Sequence, residues 1–428
     1  MSERITLCLT RNRLFEFDNC LCFCGCYENG FDTSEASKAL KMLFAANELL
    51  SGVVELFDDG TACVVTGKVL PSLELTSKSA GDFQCEYIAK GIGFEKQLFH
   101  FVIAQGKYLM IFAHTAVADC RSLMYLAQEF MTFYQKTRLS VEPQQAQLFS
   151  DLMCLPSNVF SPLVDRLASD LEVGWQKKTA VFNSEDYRRA RKKYNDNKSE
   201  IKVIEKSISE EKLKDLQGFA AESGADVSSL VAFAFYDAFT SFVKGKRKFM
   251  KMNVTANERV FFEDCCRVGP FDGLSCVSLK KSKTNALKQR ALDFHKEIYK
   301  KLTSSFAVFY TDVLHSKVSP FFCDSAYMYC AGELKHKYSK RLAITYGCAN
   351  EVMCEFSSYN LDQHHWQGLR CFGAVSINEP LKMRSASKIT FVQNGGAASM
   401  RFVYKCAEIS TDTAEKIIEK ALETINLF

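Results

Sequence analysis

The sequence predicts a mixed α/β protein with room for two or three domains, on three observations. A chain of 428 residues can bury a large core. A composition of 47% hydrophobic and 24% charged residues is that of an ordinary globular protein. Strand-like and helix-like apolar patterns follow one another along the chain, most clearly in YLMIFAHTAVADCRSL, residues 108–123. There an apolar run at 108–113, of the length and composition of a buried strand, delivers His114, Thr115 and Asp119 in quick succession. After Ser122 the period becomes helical, with Leu123, Leu126, Ala127, Phe130, Met131 and Tyr134 on one face. A strand that ends in polar residues and turns into a helix presents them at a rim, where chemistry is usually placed. On spacing alone, a buried His114 and a helix-capping Asp119 are the preferred reading.

The remaining elements follow in order. Residues 4–9 alternate weakly and read as a first strand, and 14–27 as a longer one ended by Glu28-Asn29-Gly30. Thr33 or Ser34 caps a helix with Ala36, Leu40, Leu43, Phe44, Leu49 and Leu50 on its apolar face. Residues 53–57 and 61–65 form a hairpin about Asp58-Asp59-Gly60, and 98–104 and 107–113 a second about Gln105-Gly106. Residues 145–198 carry weaker signals. A polar stretch begins at Trp175, and 187–197, YRRARKKYNDN, is strongly basic. Lacking aromatic interleaving or an apolar face, it reads as a solvated linker, and the domain boundary falls there. A strand at 202–208 follows, then a helix at 211–223 ended by Gly224. An apolar helix at 229–243 is capped from 226–228 and stopped by Gly245. Residues 249–254, 321–330, 343–346, 352–359, 369–375, 389–393 and 400–404 read as strands, with Gly395-Gly396 turning the last pair, and 413–427 as a closing helix.

Net charge is +4, from 54 Lys+Arg against 50 Asp+Glu, which is too balanced to argue for a nucleic-acid partner. No secretory core opens the chain, and no run approaches the roughly 18 apolar residues of a membrane span. A soluble, cytoplasmic protein is expected. The 18 cysteines are scattered and read as free thiols in a reducing compartment. Cys20, Cys22, Cys24 and Cys26 alternate, which on a strand sets neighbours roughly 6.6 Å apart. Zinc needs sulfurs converging at about 2.3 Å, so these read as small buried hydrophobes, as do Cys265 and Cys266. His364-His365-Trp366 reads as a surface or interface loop, with no further ligand at helical spacing. No metal site is expected.

Residues 113–123, AHTAVADCRSL, resemble the HHxxxDG signature of nonribosomal peptide synthetase condensation domains and of the wider chloramphenicol acetyltransferase-like acyltransferases, in which a typical member reads LHHIVADGWSL. His114 matches the first His, Asp119 the Asp, and Ala118, Ser122 and Leu123 the surroundings. Thr115 stands where the family has its second, catalytic His, and Cys120 where it has Gly. GPFDGLSCVSL, residues 269–279, resembles the family's G-x-F-x-N-x-LPL loop, with Gly273 in place of Asn. Arg259 falls on the family Arg that pairs with the motif Asp.

The resemblance runs through nearly the whole chain as an ordered series of elements. It implies two acetyltransferase-like α/β lobes in a V-shaped pseudodimer, spanning 1–180 and 201–428 about a linker at 181–200, with a tunnel at their junction. It implies a free-standing, monomeric enzyme with no bound cofactor. Such an enzyme takes an acyl group from a phosphopantetheine carrier protein in trans, or from coenzyme A, to a small amine or alcohol acceptor. His114, Thr115 and Asp119 are the catalytic candidates and Asp119–Arg259 the expected ion pair. Cys120, Gly269, Phe271 and Ser275 are candidates for the tunnel or acceptor side. A Thr hydroxyl is no base at neutral pH, so Thr115 is left to orient a nucleophile or donate a hydrogen bond. A catalytically silent recruitment module, and a different chemistry such as cyclisation or thioester exchange through Cys120, are the alternatives.

Overall fold

The computed structural model describes residues 3–7, 10–15, 19–136, 155–177, 184–196, 199–242, 251–262, 268–279, 286–330, 332, 334, 336–345, 354–381 and 385–428. Cys265, Cys266, Gly245 and Tyr346, and parts of the strands expected at 249–254 and 352–359, lie outside them.

The first half builds two sheets. β1 (Arg4–Thr6) leads through a 3-10 turn, Arg11–Phe15, to β2 (Cys20–Cys26). The strand expected at 14–27 is thus confined to its second half. α1 (Thr33–Ala46) is capped by the carboxylate of Asp32, one residue ahead of the expected caps. β3 (Val53–Leu56) and β4 (Ala62–Val65) form the first hairpin, and β1 joins them on the far side of β4. β5 (Leu73–Thr76), α2 (Ala80–Lys90), β6 (Phe99–Ala104), β7 (Tyr108–His114) and α3 (Cys120–Tyr134) follow. The β6–β7 turn places Gln105 at φ 51° and Gly106 at φ 68°. Two positive φ values in a two-residue loop match the twist of the paired strands. β2 is buried on both faces. Leu21 and Phe23 enter the main core with α1 and α3 residues, whereas Cys20, Cys22 and Cys24 meet Phe83 of α2 and Met110 and Phe112 of β7. All cysteines among the described residues are free thiols, and no three potential ligands converge there on a metal-sized site.

α4 (Pro162–Gln176) and α5 (Ser184–Asp196) precede the second half. The basic stretch read as a linker is therefore largely helical; Glu185 and Asp186 in its first turn and Lys193 in its last suit the helix dipole. Next come β8 (Ile201–Ile208), α6 (Glu210–Ser223), α7 (Val227–Phe242), β9 (Met252–Asn257), a 3-10 turn at Glu258–Phe261, and β10 (Asp272–Val277). α8 (Leu287–Leu302), α9 (Ser305–Ser316), α10 (Pro320–Cys330) and α11 (Lys337–Thr345) are consecutive helices. The strands expected at 321–330 and 343–346 are thus corrected to α10 and to the end of α11. A short apolar run buried on all sides does not distinguish strand from helix by its period. Here α10 is enclosed, with Phe322, Asp324, Ser325 and Ala326 all buried.

β11 (Cys354–Asn360), a 3-10 turn at His364–Cys371, β12 (Ala374–Asn378), β13 (Ser387–Asn394), β14 (Ala397–Lys405) and α12 (Thr411–Asn426) complete the chain. The strand expected at 369–375 begins only at Ala374. Leu369 and Trp366 are buried in the 3-10 turn, with Trp366 against Tyr125 of α3 at 4.5 Å between ring centres. His364 and His365 stay exposed, as expected of a surface loop, while Trp366 turns inward.

The second sheet runs β10-β9-β11-β13-β14-β8, and α7, α8 and α12 contribute to the core on one of its faces. The first runs β12-β2-β7-β6-β5. Its outermost strand β12 comes from the second half of the chain and pairs antiparallel with β2, Ser376 opposite Cys24. α9, α10 and α11 also pack into the first core through Val308, Phe309, Phe322 and Leu342. The two halves of the chain are therefore laced together.

Candidate active site

β7 carries the motif into the junction between the two sheets. Leu109 to Ala113 are fully buried, and the strand ends at His114, itself 0% exposed. The peptide N–H of Ala116 donates to His114 Nδ1 at 3.1 Å, and the Asn19 side-chain amide lies 3.0 Å from Nε2. Phe94 packs edge-on against the ring. The imidazole is thus engaged at both nitrogens, and it braces the loop. Thr115 donates its backbone N–H to Asn19 O at 3.0 Å. Its buried hydroxyl has no hydrogen-bond partner among the described residues.

Asp119 is the N-cap of α3: its Oδ1 accepts from Ser122 N at 2.7 Å while its own N–H donates to Ser122 Oγ at 3.4 Å, a capping box, and Ser122 Oγ also lies 2.8 Å from Oδ1. The same carboxylate crosses to the second sheet. Arg259 donates NH1 to Oδ2 at 2.5 Å and NH2 to Oδ1 at 3.0 Å, and Phe271 N donates to Oδ2 at 3.0 Å. Ser122 Oγ accepts from Gly269 N at 3.0 Å and lies 2.7 Å from Gly269 O. The Arg259 guanidinium stacks on the Phe271 ring at 4.6 Å. Glycine is required at 269, since a Cβ there would meet that ring at 2.3 Å. Burial alone would raise the Asp119 carboxyl, but Arg259, the Ser122 N–H and Arg121 outweigh it and hold it below its ordinary value.

Asp119, Arg259, Gly269 and Phe271 are therefore brought together in one clasp between the motif loop and the second sheet. Cys120, the first residue of α3, is 1% exposed, and burial drives its thiol pKa well up, with Glu379 and Asp272 adding to the effect. Ser275 lies along β10 from Phe271, and its buried hydroxyl has no hydrogen-bond partner among the described residues.

Three features here have no signature in the sequence. Asn19 holds His114 and Thr115 from the start of β2. Arg121, two residues past the motif Asp, forms a second bridge to Asp272 at 2.7 Å and lies over Tyr359. Behind it, Lys388 is salt-bridged to Glu379 and 3.5 Å from Glu355. Tyr359 OH and Ser357 Oγ both donate to Glu379, and Thr255 Oγ1 meets Ser357 Oγ at 2.7 Å. Burial opposes ionisation of Glu379, but Lys388 and these donors outweigh it and keep the carboxyl below its ordinary value.

No family model matches the sequence, and no curated protein matches it. Solved structures match over almost its full length. The epimerization domain from the third module of tyrocidine synthetase B is 13% identical with a TM-score of 0.65, covering 99% of this chain and 97% of that one. The condensation domain from the Monacolin K polyketide synthase is 9% identical with a TM-score of 0.64, covering 100% and 97%. The trichothecene 15-O-acetyltransferase from Fusarium sporotrichioides is 10% identical with a TM-score of 0.63, covering 99% and 95%. No helix among the described residues is long and apolar enough to cross a membrane. The chain has the condensation-domain fold, a mixed α/β pseudodimer of two chloramphenicol acetyltransferase-like lobes.

Proposed function

We propose that the protein is an acyltransferase of the condensation-domain type. It moves an acyl group from a carrier-protein or coenzyme A thioester to a small amine or alcohol, at the junction of the lobes. The observation that carries this reading is the clasp of Asp119, Ser122, Arg259, Gly269 and Phe271, which fixes the motif loop against the second lobe. An acceptor amine attacks the thioester carbonyl carbon, the C–S bond breaks, and the proton lost by nitrogen ends on the departing thiolate. The products are an amide and a thiol. Thr115 contributes a hydroxyl that hydrogen-bonds a reactant and takes no proton for itself. Holding two reactants in an attack geometry supplies much of the barrier reduction when no base stands at this position. The alcohol reaction demands more, since an alcohol must lose its proton before or during attack.

A second reading, a catalytically silent recruitment module, is favoured by one feature. No base stands at Thr115, and the neighbouring His114 and Cys120 are engaged or buried. Mass spectrometry on a panel of acyl thioesters, incubated with the full chain and amine or alcohol acceptors, separates the two. Amide or ester formation above the protein-free rate supports the enzyme. Thioester binding without turnover supports the module.

A further inference from the structure

Seven ionisable groups meet where the two lobes touch. Arg259 pairs with Asp119 at 2.5 Å, Arg121 with Asp272 at 2.7 Å, and Arg13 with Asp312 at 3.7 Å. Each guanidinium thus has its own carboxylate. The seventh group is Glu258, which is 1% exposed and forms no ion pair among the described residues. Neither of its carboxyl oxygens has a hydrogen-bond partner among those residues. Its carboxyl lies over Gly273, where an added Cβ would meet Oε1 at 2.5 Å and Val308 at 2.9 Å. Its backbone N–H donates to Phe271 O at 2.7 Å, so it is built into the same loop as Arg259 and Phe271.

A guanidinium beside a buried carboxyl offsets part of the cost of ionising it; a carboxyl left over among three others has no such offset. We propose that Glu258 is the proton-holding latch of the lobe junction. As a neutral carboxylic acid it lets the three ion pairs close around it, and its ionisation sets a fourth negative charge among them and loosens the Asp119–Arg259 clasp.

The charged groups facing Glu258 come from every side of the junction. They are Asp312 of α9, Arg13 of the N-terminal 3-10 turn, Asp272 of β10 and Asp119 at the cap of α3. Burial, and then Asp312, raise its pKa well above the ordinary value, against the pull of Arg13. The native state therefore keeps a proton that the unfolded chain has lost. Stability falls as the pH climbs from the unfolded value to the folded one, and levels off above it. The inference concerns the assembly of the junction, so it stands whether or not the site proves to be an enzyme.

The test compares the full-length parent with Glu258→Gln, which keeps the shape and cannot ionise, by urea unfolding from about pH 5 to about pH 10. The parent should lose about tenfold in its folding equilibrium per pH unit relative to the variant until Glu258 has titrated. Asp272, whose carboxyl burial and Asp119 push up to about 7 against the pull of Arg121, titrates in both proteins, so the excess loss of the parent is what reports Glu258. Amide hydrogen exchange supplies the local readout: the Ser122 and Phe271 N–H groups, both bonded to Asp119, should lose protection with rising pH more in the parent than in the variant. Asp312→Asn removes the carboxylate that raises Glu258 most, and should move the parent-like loss toward acid. If Glu258→Gln does not fold, infrared titration of the parent labelled with carbon-13 glutamate should still show a protonated glutamic acid at neutral pH that Asp312→Asn shifts toward acid. Parallel pH profiles of parent and variant, or a labelled spectrum without that acid, overturn the proposal.

Discussion

Arg259 donates to both oxygens of Asp119, at 2.5 Å and 3.0 Å, across 140 residues of chain and from one lobe to the other. The acceptor is already the N-cap of α3, so a single carboxylate ends a helix and ties two lobes. Forked geometry of this kind is specific to arginine, because a lysine offers a point charge with no fork.

Arg259→Ala should therefore destabilise strongly. It leaves a carboxylate whose side chain is 2% exposed without its guanidinium, and a broken buried pair costs about 3–5 kcal/mol. Arg259→Lys should recover part of that loss, since charge is kept and the second donor is not. Urea midpoints of the three proteins measure it. An alanine variant as stable as the parent would show that the pair contributes nothing net.

The depressed carboxyl of Asp119 fixes the sign of an acid effect. Burial raises it, but Arg259 and the Ser122 N–H prevail, so the folded pKa lies below the unfolded one. The native state then binds fewer protons than the unfolded chain. The stability due to this group is full above the unfolded pKa, and it is lost as the pH falls through the folded one. Asp119→Asn should be less stable at neutral pH and should lose less on acidification below about pH 4. Denaturant midpoints across that range check this; equal acid slopes in parent and variant would reject it.

The sequence discloses the local parts of this architecture well. The turn at Gln105-Gly106, the Gly224 helix stop and the Gly395-Gly396 turn are legible because each needs positive φ, and glycine stands at four of the five positions, Gln105 being the exception. Both readings of the motif prove compatible: His114 is buried and Asp119 is a cap, while Asp119 also carries the ion pair. Long-range partnerships are another matter. Nothing local tells that 374–378 pairs with β2, because a strand's period fixes which face is buried and leaves its neighbour open. Arg121 and Asp272 lie 151 residues apart, so their pairing exists only in the fold. Apolar helices such as α10 escape for a different reason, since burial on every side erases the period that would identify them.

Cys120 is expected to be inert. Its thiol is 1% exposed and its pKa is driven well up by burial, whereas an attacking sulfur must be accessible and ionised. Under native conditions, iodoacetamide should modify the exposed Cys85 and Cys276 first and Cys120 only on unfolding. Mass spectrometry of tryptic peptides over time reports the order. Early, selective labelling of Cys120 would reinstate thioester exchange as a chemistry for this site.

Thr115 decides between enzyme and module. Its hydroxyl is buried without a hydrogen-bond partner among the described residues, on a loop pinned by Asn19, His114 and the cap of α3. If the protein works by positioning, Thr115→Ala removes one hydrogen bond and no base, so turnover should fall only modestly. A fall of about 10²–10⁴-fold, the usual contribution of general acid–base catalysis, would mean that Thr115 takes part in proton transfer. Thr115→His tests the other side. It places an imidazole on a loop already pinned by Asn19, His114 and the cap of α3. If the parent turns over no thioester in a broad panel and Thr115→His gains acyl transfer, the site is an intact framework that lacks only its base. The protein would then be a recruitment module. Turnover by the parent, with only a modest loss in Thr115→Ala, would instead establish catalysis by orientation.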